Sequence, residues 1–333
     1  MKIRLVLLTL IAMFALSSMA QYIPSVPMEQ RVKNSSGDYW HWGNTFKHLD
    51  LALSLGTSGI GIEVASPICE FAQVRIGYEM MPHFRKKLTS GLMIGNEKPY
   101  KYDKSGYRVE TNYTIVREMM YQKTGYDMKD HIDMTGKLTM QNFKFLVDIF
   151  PLSGNKNLHV TLGVYWGPSE YAKIEGDPDF SGTLACVNAY NKLYAAAEEG
   201  DVIKSYGTAG YLMGQFTSDI KLADGTAVKS GDNYKMTGGS EGKILIPAET
   251  NSIKPYVGIG YEGVLLKKHR DIKFAVTGGL MFWGGAPSLY TSDGVNLVKD
   301  VKGIEGKAGN YVSLMSKLKA YPTIGVRIIK NIF

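Results

Sequence analysis

Beyond its first twenty residues, this 333-residue chain lacks any run of about 18 apolar residues, the length that a membrane-spanning helix requires. It has only two cysteines, Cys69 and Cys186, which are too few for a disulfide framework. Any membrane-embedded form of the mature chain must therefore be a closed β-barrel, because a barrel also satisfies every backbone polar group in lipid. The formal net charge is +7, yet no basic cluster is interleaved with aromatic residues, so nucleic-acid binding is not expected.

The chain also lacks the usual marks of catalysis and of cofactor binding. Its six histidines show no metal-ligand spacing, and it contains neither a G-x-S-x-G nucleophile motif nor a phosphate-cradling loop. These absences predict a protein that is not an enzyme and that needs no metal or cofactor.

The N-terminal residues predict export from the cytoplasm. Lys2 and Arg4 precede an apolar run over residues 5–16, and small residues stand at the expected cleavage positions around Ala20. This arrangement is typical of a signal peptide over residues 1–20, with the mature chain starting near Gln21.

The dominant pattern after the N-terminus is the alternation of large apolar residues with small or charged ones. Residues 47–81 repeat this pattern three times with short turns between, and period two is typical of β-strands. Five later segments repeat it, which predicts eight strands in all. The predicted strands cover about residues 47–57, 59–66, 71–82, 142–150, 158–166, 253–262, 271–283 and 318–329.

The lengths of the connections distinguish a membrane barrel from a soluble sandwich. Connections after strands two, four and six are short, and those after strands three, five and seven are long, at about 83–133, 167–252 and 284–317. Only the first hairpin departs from this rule. Short periplasmic turns and long extracellular loops are the layout of outer-membrane barrels. Ten residues at about 3.3 Å each, tilted by about 45°, also span roughly 24 Å, the height of their apolar band.

The predicted fold is therefore an all-β, transmembrane, antiparallel up-and-down β-barrel over residues 47–333. Eight strands are expected, within a range of 8–12, together with long extracellular loops that carry one short helix over residues 183–199. Residues 21–46 lack periodicity and are expected to form a periplasmic or membrane-interface segment.

Four segments resemble outer-membrane β-barrel proteins of Bacteroides-like bacteria. They are LDLALSLGTSGIGIEVASP, QVRIGYEMMP, TGKLTMQNFKFLVDIFP and IKPYVGIGY. The resemblance implies the cell outer membrane as the location, and it implies no particular activity. It also implies recognition by the barrel-assembly machinery through a last strand ending in Phe333, although Asn331 and Arg327 depart from the usual apolar alternation. Outer-membrane lipid and lipopolysaccharide are the expected partners, and the external ligand is unknown.

An eight-stranded barrel has an interior that side chains can fill, so the inward polar residues are expected to form a structural network. The members of this network that the alternation predicts are Asp50, Glu63, Arg75, Glu79, Lys144, Asp148, His159, Lys273 and Arg327.

The predicted turn positions suggest which of these residues are partners. They place Asp148 directly opposite His159, Glu63 diagonal to Arg75, and Arg327 near Asp50. A histidine oriented by a carboxylate could act as a general base. No serine or cysteine is expected to face inward on an adjacent strand, however. Charges in a narrow barrel must be paired, so a structural plug is the preferred interpretation.

The predicted function is that of a non-enzymatic outer-membrane barrel with a structural or surface-binding role through its extracellular loops. One alternative is a narrow channel or transporter for small or hydrophobic solutes, which predicts ten or more strands, with parts of 85–130 or 205–250 joining the barrel. A second alternative is a lipid-modifying outer-membrane enzyme, which needs a catalytic cluster at the membrane interface. A soluble alternative is a secreted β-sandwich.

Overall fold

The computed structural model describes residues 48–332 except 70, 83, 153–156, 224, 240–241, 267–268 and 305. The predicted signal peptide, the predicted segment 21–46 and Phe333 lie outside the described residues. Among the described residues, no helix is both long and apolar enough to cross a membrane.

The described chain contains twenty strands and four α-helices. The strands are β1 (Asp50–Gly56), β2 (Gly59–Cys69), β3 (Ala72–Met80), β4 (Arg85–Ile94), β5 (Lys101–Tyr102), β6 (Arg108–Val109), β7 (His131–Leu138), β8 (Gln141–Ile149), β9 (Leu158–Trp166), β10 (Glu170–Gly176), β11 (Ala209–Phe216), β12 (Ile220–Lys221), β13 (Ala227–Val228), β14 (Asn233–Met236), β15 (Leu245–Glu249), β16 (Ile253–Leu266), β17 (His269–Phe282), β18 (Ser288–Leu289), β19 (Val301–Lys302) and β20 (Ala320–Asn331). The helices are α1 (Asn112–Thr124), α2 (Ser181–Ala196), α3 (Val202–Tyr206) and α4 (Gly306–Met315).

Eight strands close into an antiparallel barrel in the order β1-β2-β3-β8-β9-β16-β17-β20. The last strand pairs with the first, with Asp50 opposite Asn331 and Gly56 opposite Gly325. The predicted fold class is confirmed, and each predicted barrel strand overlaps its observed counterpart over most of its length. The long connections all leave one end of this barrel, as predicted, together with the tight hairpin between β1 and β2.

The long connections form a second folded body, and not the surface loops that the sequence predicts. Their strands build a second sheet in the order β14-β11-β4-β7-β10-β15-β18, with β19 paired to β11. We call this body, residues 81–140, 167–252 and 283–319, the cap. One of its helices, α2, matches the single predicted helix, and the structure adds α1, α3 and α4.

The cap continues the barrel without a break in hydrogen bonding. Beyond β3 and β8, the amide of Met81 donates to the carbonyl of Met140 at 2.8 Å, and the amide of Leu138 donates to the carbonyl of Phe84 at 3.2 Å. One cluster of buried residues extends from the barrel residue Leu146 to Val187 of α2 in the cap. Because this core is shared, the cap is held against the barrel end.

The outward-facing side chains of the barrel are large and apolar. Leu53 is 62% exposed and Ile62 is 57% exposed, whereas the intervening neighbour Glu63 is only 2% exposed. We call these outward residues the apolar belt: Leu51, Leu53, Leu55, Ile60, Ile62, Val64, Ile76, Phe143, Phe145, Leu162, Val164, Ile253, Val257, Ile259, Leu280, Phe282, Ile324, Val326 and Ile328. A water-facing surface rarely carries a contiguous apolar area of this extent, so the belt is a surface that needs an apolar partner.

Candidate functional site

The polar interior of the barrel is organised around Glu63 on β2. Its carboxylate lies 2.8 Å from Nη1 of Arg75 and 2.7 Å from Nζ of Lys144, and it lies 3.5 Å from Nη1 of Arg327. These three cations come from β3, β8 and β20, so one carboxylate links four strands. The predicted diagonal neighbours Glu63 and Arg75 are therefore in contact.

A glycine makes room for this centre. Gly77 on β3 lies opposite both Glu63 on β2 and Lys144 on β8. A Cβ atom at position 77 would lie 2.8 Å from Cγ of Glu63 and 3.0 Å from Cε of Lys144. Alternating small residues thus provide the volume that the long charged side chains occupy.

A second carboxylate, Asp148, binds the other edge of the Arg75 guanidinium. Its oxygens lie 2.7 Å from Nε and 2.8 Å from Nη2 of Arg75. Asp148 also accepts hydrogen bonds from Thr161 at 2.7 Å and from Gln73 at 2.8 Å. Arg75 therefore bridges two buried carboxylates with its planar guanidinium.

His159 does not form the predicted direct pair with Asp148. The register places Thr161 opposite Asp148, and Nε2 of His159 is 4.0 Å from Oδ1 of Asp148. Neither ring nitrogen has a hydrogen-bond partner among the described residues. Since both side chains are fully buried, a substrate has no access to this histidine. The geometry favours a packing role over general-base chemistry.

The remaining predicted residues form two further groups. Lys144 also contacts Glu79 at 3.0 Å. Lys273 lies 3.8 Å from Asp50, nearer the opposite end of the barrel. The predicted proximity of Arg327 to Asp50 is wrong, because the register places Ser54 opposite Arg327 and places Asn331 opposite Asp50. Asn331 donates to Asp50 at 2.8 Å.

Two charged residues of the interior are missing from the predicted network. Lys254 is 1% exposed, and its Nζ lies 3.2 Å from Oδ1 of Asn142 and 3.4 Å from the carbonyl of Pro168. Glu262 accepts from Lys273 at 3.0 Å. Both residues lie an even number of positions from Tyr256, which faces inward, so the alternation along β16 could have identified them.

The charges of these contacts balance. We call the ten residues the charged plug: the carboxylates Asp50, Glu63, Glu79, Asp148 and Glu262, and the cations Arg75, Lys144, Lys254, Lys273 and Arg327. Among the described residues, these five carboxylates and five cations give the lumen no net charge, which lowers the cost of burying each charge.

Aromatic residues cover the plug at the cap end. The rings of Tyr165 and Tyr256 meet edge to face at 5.2 Å, and Trp283 stacks on Tyr321 at 5.4 Å. A cavity of about 40 Å³ is lined by Tyr165, Tyr256 and Arg327. At roughly 10–15 Å³ per molecule, this space holds only a few waters. The part of the lumen that the structure describes is thus filled with side chains.

Comparison with known proteins finds only distant structural similarity. The chain matches no family model and no curated protein. The solved structures similar to it include two from Acinetobacter baumannii. CarO2 is 13% identical, with 86% of this chain and 98% of that chain covered and a TM-score of 0.38. CarO is 12% identical, with 87% and 99% covered and a TM-score of 0.35. Similarities at this level carry no argument about function, which must rest on the geometry of the barrel and the cap.

Proposed function

We propose that this chain is a non-enzymatic outer-membrane protein, in which a plugged barrel anchors the cap at the cell surface. The observation that carries the proposal is the apolar belt around an interior of paired charges. Such an inside-out distribution is stable where lipid surrounds the barrel, because the belt then contacts hydrocarbon and the polar groups contact one another.

Aromatic residues on the outer face of the barrel support a membrane boundary at the cap end. Tyr78, Phe143 and Trp166 lie near the cap-side ends of their strands, with ring centroids 5.0 Å apart for the first pair and 6.0 Å for the second. Aromatic girdles of this kind mark the interface level of membrane barrels. This placement leaves the cap outside the hydrocarbon layer.

The residues just beyond the girdle support contact with lipopolysaccharide. Arg85 and Lys86 begin β4, a few residues after β3 ends, and both are exposed. Cations at this height are placed to meet the phosphate groups of the outer leaflet.

The filled lumen and the folded cap favour anchoring and surface binding over transport. The barrel has eight strands, and segments within 85–130 and 205–250 join the second sheet, not the barrel as the channel alternative requires. The cap has its own buried residues, such as Val116 and Tyr211. Because the cap has a packed core, its surface keeps one shape, and a surface of fixed shape is suited to binding a ligand.

Three measurements on the full-length protein test the proposal. We expect the protein in the outer-membrane fraction, migrating differently on gels before and after heating, as closed membrane barrels do. We expect proteases added to intact cells to cut within the cap. We expect no stable conductance in planar bilayers, because the plug leaves no continuous water path. Recovery as a soluble periplasmic protein, or steady unitary currents, would refute the anchor.

A further inference from the structure

A cavity of about 120 Å³ lies inside the cap, between one face of the second sheet and helix α4. Side chains of β4, β7, β10, β15 and β18 form its floor, and Val312 and Met315 of α4 cover it. The volume is close to that of an engineered apolar cavity of about 150 Å³ that stays dry and binds benzene. A cavity of this size in a folded core can hold a small apolar group.

The exposure of the lining residues defines a floor and a mouth. Leu88, Met134 and Ile246 are buried and apolar. Phe84 and Tyr311 also line the cavity and are exposed, so they stand at its opening. The cavity is therefore apolar inside and reachable from solvent.

Three lysines line the cavity, and two of them, Lys137 and Lys173, pair with Glu175. Lys86 lines the cavity and lies on the same sheet face as Leu88, and it is exposed without an ion-pair partner among the described residues. By contrast, Lys87 on the opposite face lies 2.8 Å from Asp133. An unpaired ammonium group beside an apolar cavity complements a ligand with an anionic head and a hydrocarbon tail.

A glycine opens the cavity floor. Gly136 on β7 lies directly opposite Lys86. A Cβ atom built there would meet nothing closer than the Lys86 carbonyl oxygen at 3.7 Å and Cδ1 of Leu88 at 3.9 Å. A larger side chain could therefore be accommodated at position 136, and it would occupy the cavity. The absence of a side chain there keeps the space empty.

From the lining, the mouth and the charge, we infer that the cap binds a medium-chain aliphatic carboxylate. Its chain occupies the cavity under α4, and its carboxylate pairs with Lys86. About six carbons fill a cavity of this size, so affinity rises with chain length up to that number of buried carbons and then levels off. Each buried methylene strengthens binding about fourfold. This inference deepens the surface-binding part of the proposed function.

The test uses the full-length protein in amphipol, with decanoate below its micelle concentration and decanol as the neutral counterpart, followed by calorimetry. We expect saturable binding of one decanoate per chain. Gly136→Leu should weaken binding of both probes about tenfold or more, because it fills space that several methylenes would occupy. Gly91→Leu is the matched control, since a Cβ at Gly91 on β4 has room, with nothing within 4 Å, and lies outside the cavity lining. The decanoate affinity of this variant should stay within about twofold of that of the parent.

The charge is tested separately. Lys86→Gln should weaken decanoate binding about two- to fivefold, as expected for a partly exposed ion pair, and should leave decanol binding unchanged. Arg85→Gln, one residue away on the opposite face, should change neither. Gel mobility before and after heating confirms that each variant is folded.

Absence of saturable binding by the parent protein, or unchanged affinity in Gly136→Leu, would overturn the inference. Equal losses for decanoate and decanol in Lys86→Gln would overturn the role of the carboxylate. Binding is measured on purified protein, so a failure to bind decanoate would not contradict the proposed membrane anchor. Conversely, finding the protein in a soluble fraction would not invalidate the binding measurement.

Discussion

The charged plug can be tested at its centre by Glu63→Gln. The substitution keeps the shape of the side chain and removes its charge, leaving five cations and four carboxylates in the lumen. Glu63 contacts both Arg75 and Lys144, at 2.8 and 2.7 Å. Removing one partner from a buried ion pair costs about 3–5 kcal/mol, because the remaining charge is left uncompensated. We expect the free energy of unfolding to fall by about this amount.

The compensating substitution separates charge balance from packing. Arg327 contacts Glu63 at 3.5 Å, and its Nε and Nη2 have no hydrogen-bond partner among the described residues. The double variant Glu63→Gln, Arg327→Met restores a neutral lumen, with four charges of each sign. It should recover at least half of the loss, since the two substitutions are coupled through one contact.

The assay is urea unfolding of the protein from phospholipid vesicles, followed by tryptophan fluorescence and by gel mobility without heating. The matched control is Asp127→Asn in the cap, which breaks a 2.6 Å ion pair with Arg117 whose members are both about half exposed. An exposed pair contributes at most about 1 kcal/mol. If Glu63→Gln costs no more than this control, the lumen is hydrated and the plug does not hold the barrel together.

Three further predictions concern the packing of the lumen, the belt and the cap. Gly260→Ala would place its Cβ 2.3 Å from Nε2 of His159, so it should destabilise the barrel by about 1–3 kcal/mol in the same urea assay, and adding His159→Ala should reverse most of this loss. Ile62→Lys in the belt should cost about 2–4 kcal/mol in vesicles if lipid surrounds this residue, whereas Ile115→Lys on the exposed side of α1 should cost under about 0.5 kcal/mol; equal costs would argue against a lipid-facing belt. Burial lowers the pKa of Lys235 to about 8 from 10.5, so the unfolded cap binds more protons in that window and cap stability in urea should rise from pH 8 to about 9.5. A rise of the same size in Lys235→Met would assign the effect to other groups.

The barrel strands could be predicted because their environment imposes a local rule. A residue in this barrel faces either the surroundings or the lumen, so period two appears within each strand, as in Leu51, Leu53 and Leu55 on β1. The same alternation predicted that Glu63, Arg75 and Lys144 face the interior. These assignments needed no knowledge of which strands are neighbours.

The registers were harder to predict because they depend on where each turn is centred. Ser66 and Pro67 suggested a turn, yet β2 continues through them to Cys69, with an irregularity between Pro67 and Cys69. Ala65 therefore lies opposite Arg75, and Gly77 lies opposite Glu63. The long arginine side chain still reaches Glu63, so the predicted contact forms in a different register.

Apart from helix α2, the cap could not be predicted from local pattern. Its strands are short and come from three separate connections, so each segment alone resembles a polar loop. Strand β10 pairs with β7 and with β15, from which it is separated by more than thirty residues of sequence on either side. The cavity under α4 exists only once these distant segments have met.

The composition of the plug links its stability to closure of the barrel. Glu63 gathers cations from β3, β8 and β20, and β20 reaches β1 only when the barrel closes. Before the barrel closes, water can solvate the polar inward faces of its strands. The exported chain therefore does not bury these faces before closure. After closure, Arg327 joins the network and the lumen becomes neutral. The same alternation that turns the leucines and isoleucines outward therefore places Arg327 where closure of the barrel brings it to Glu63 on β2, so this ion pair stabilises the pairing of the last strand with the first.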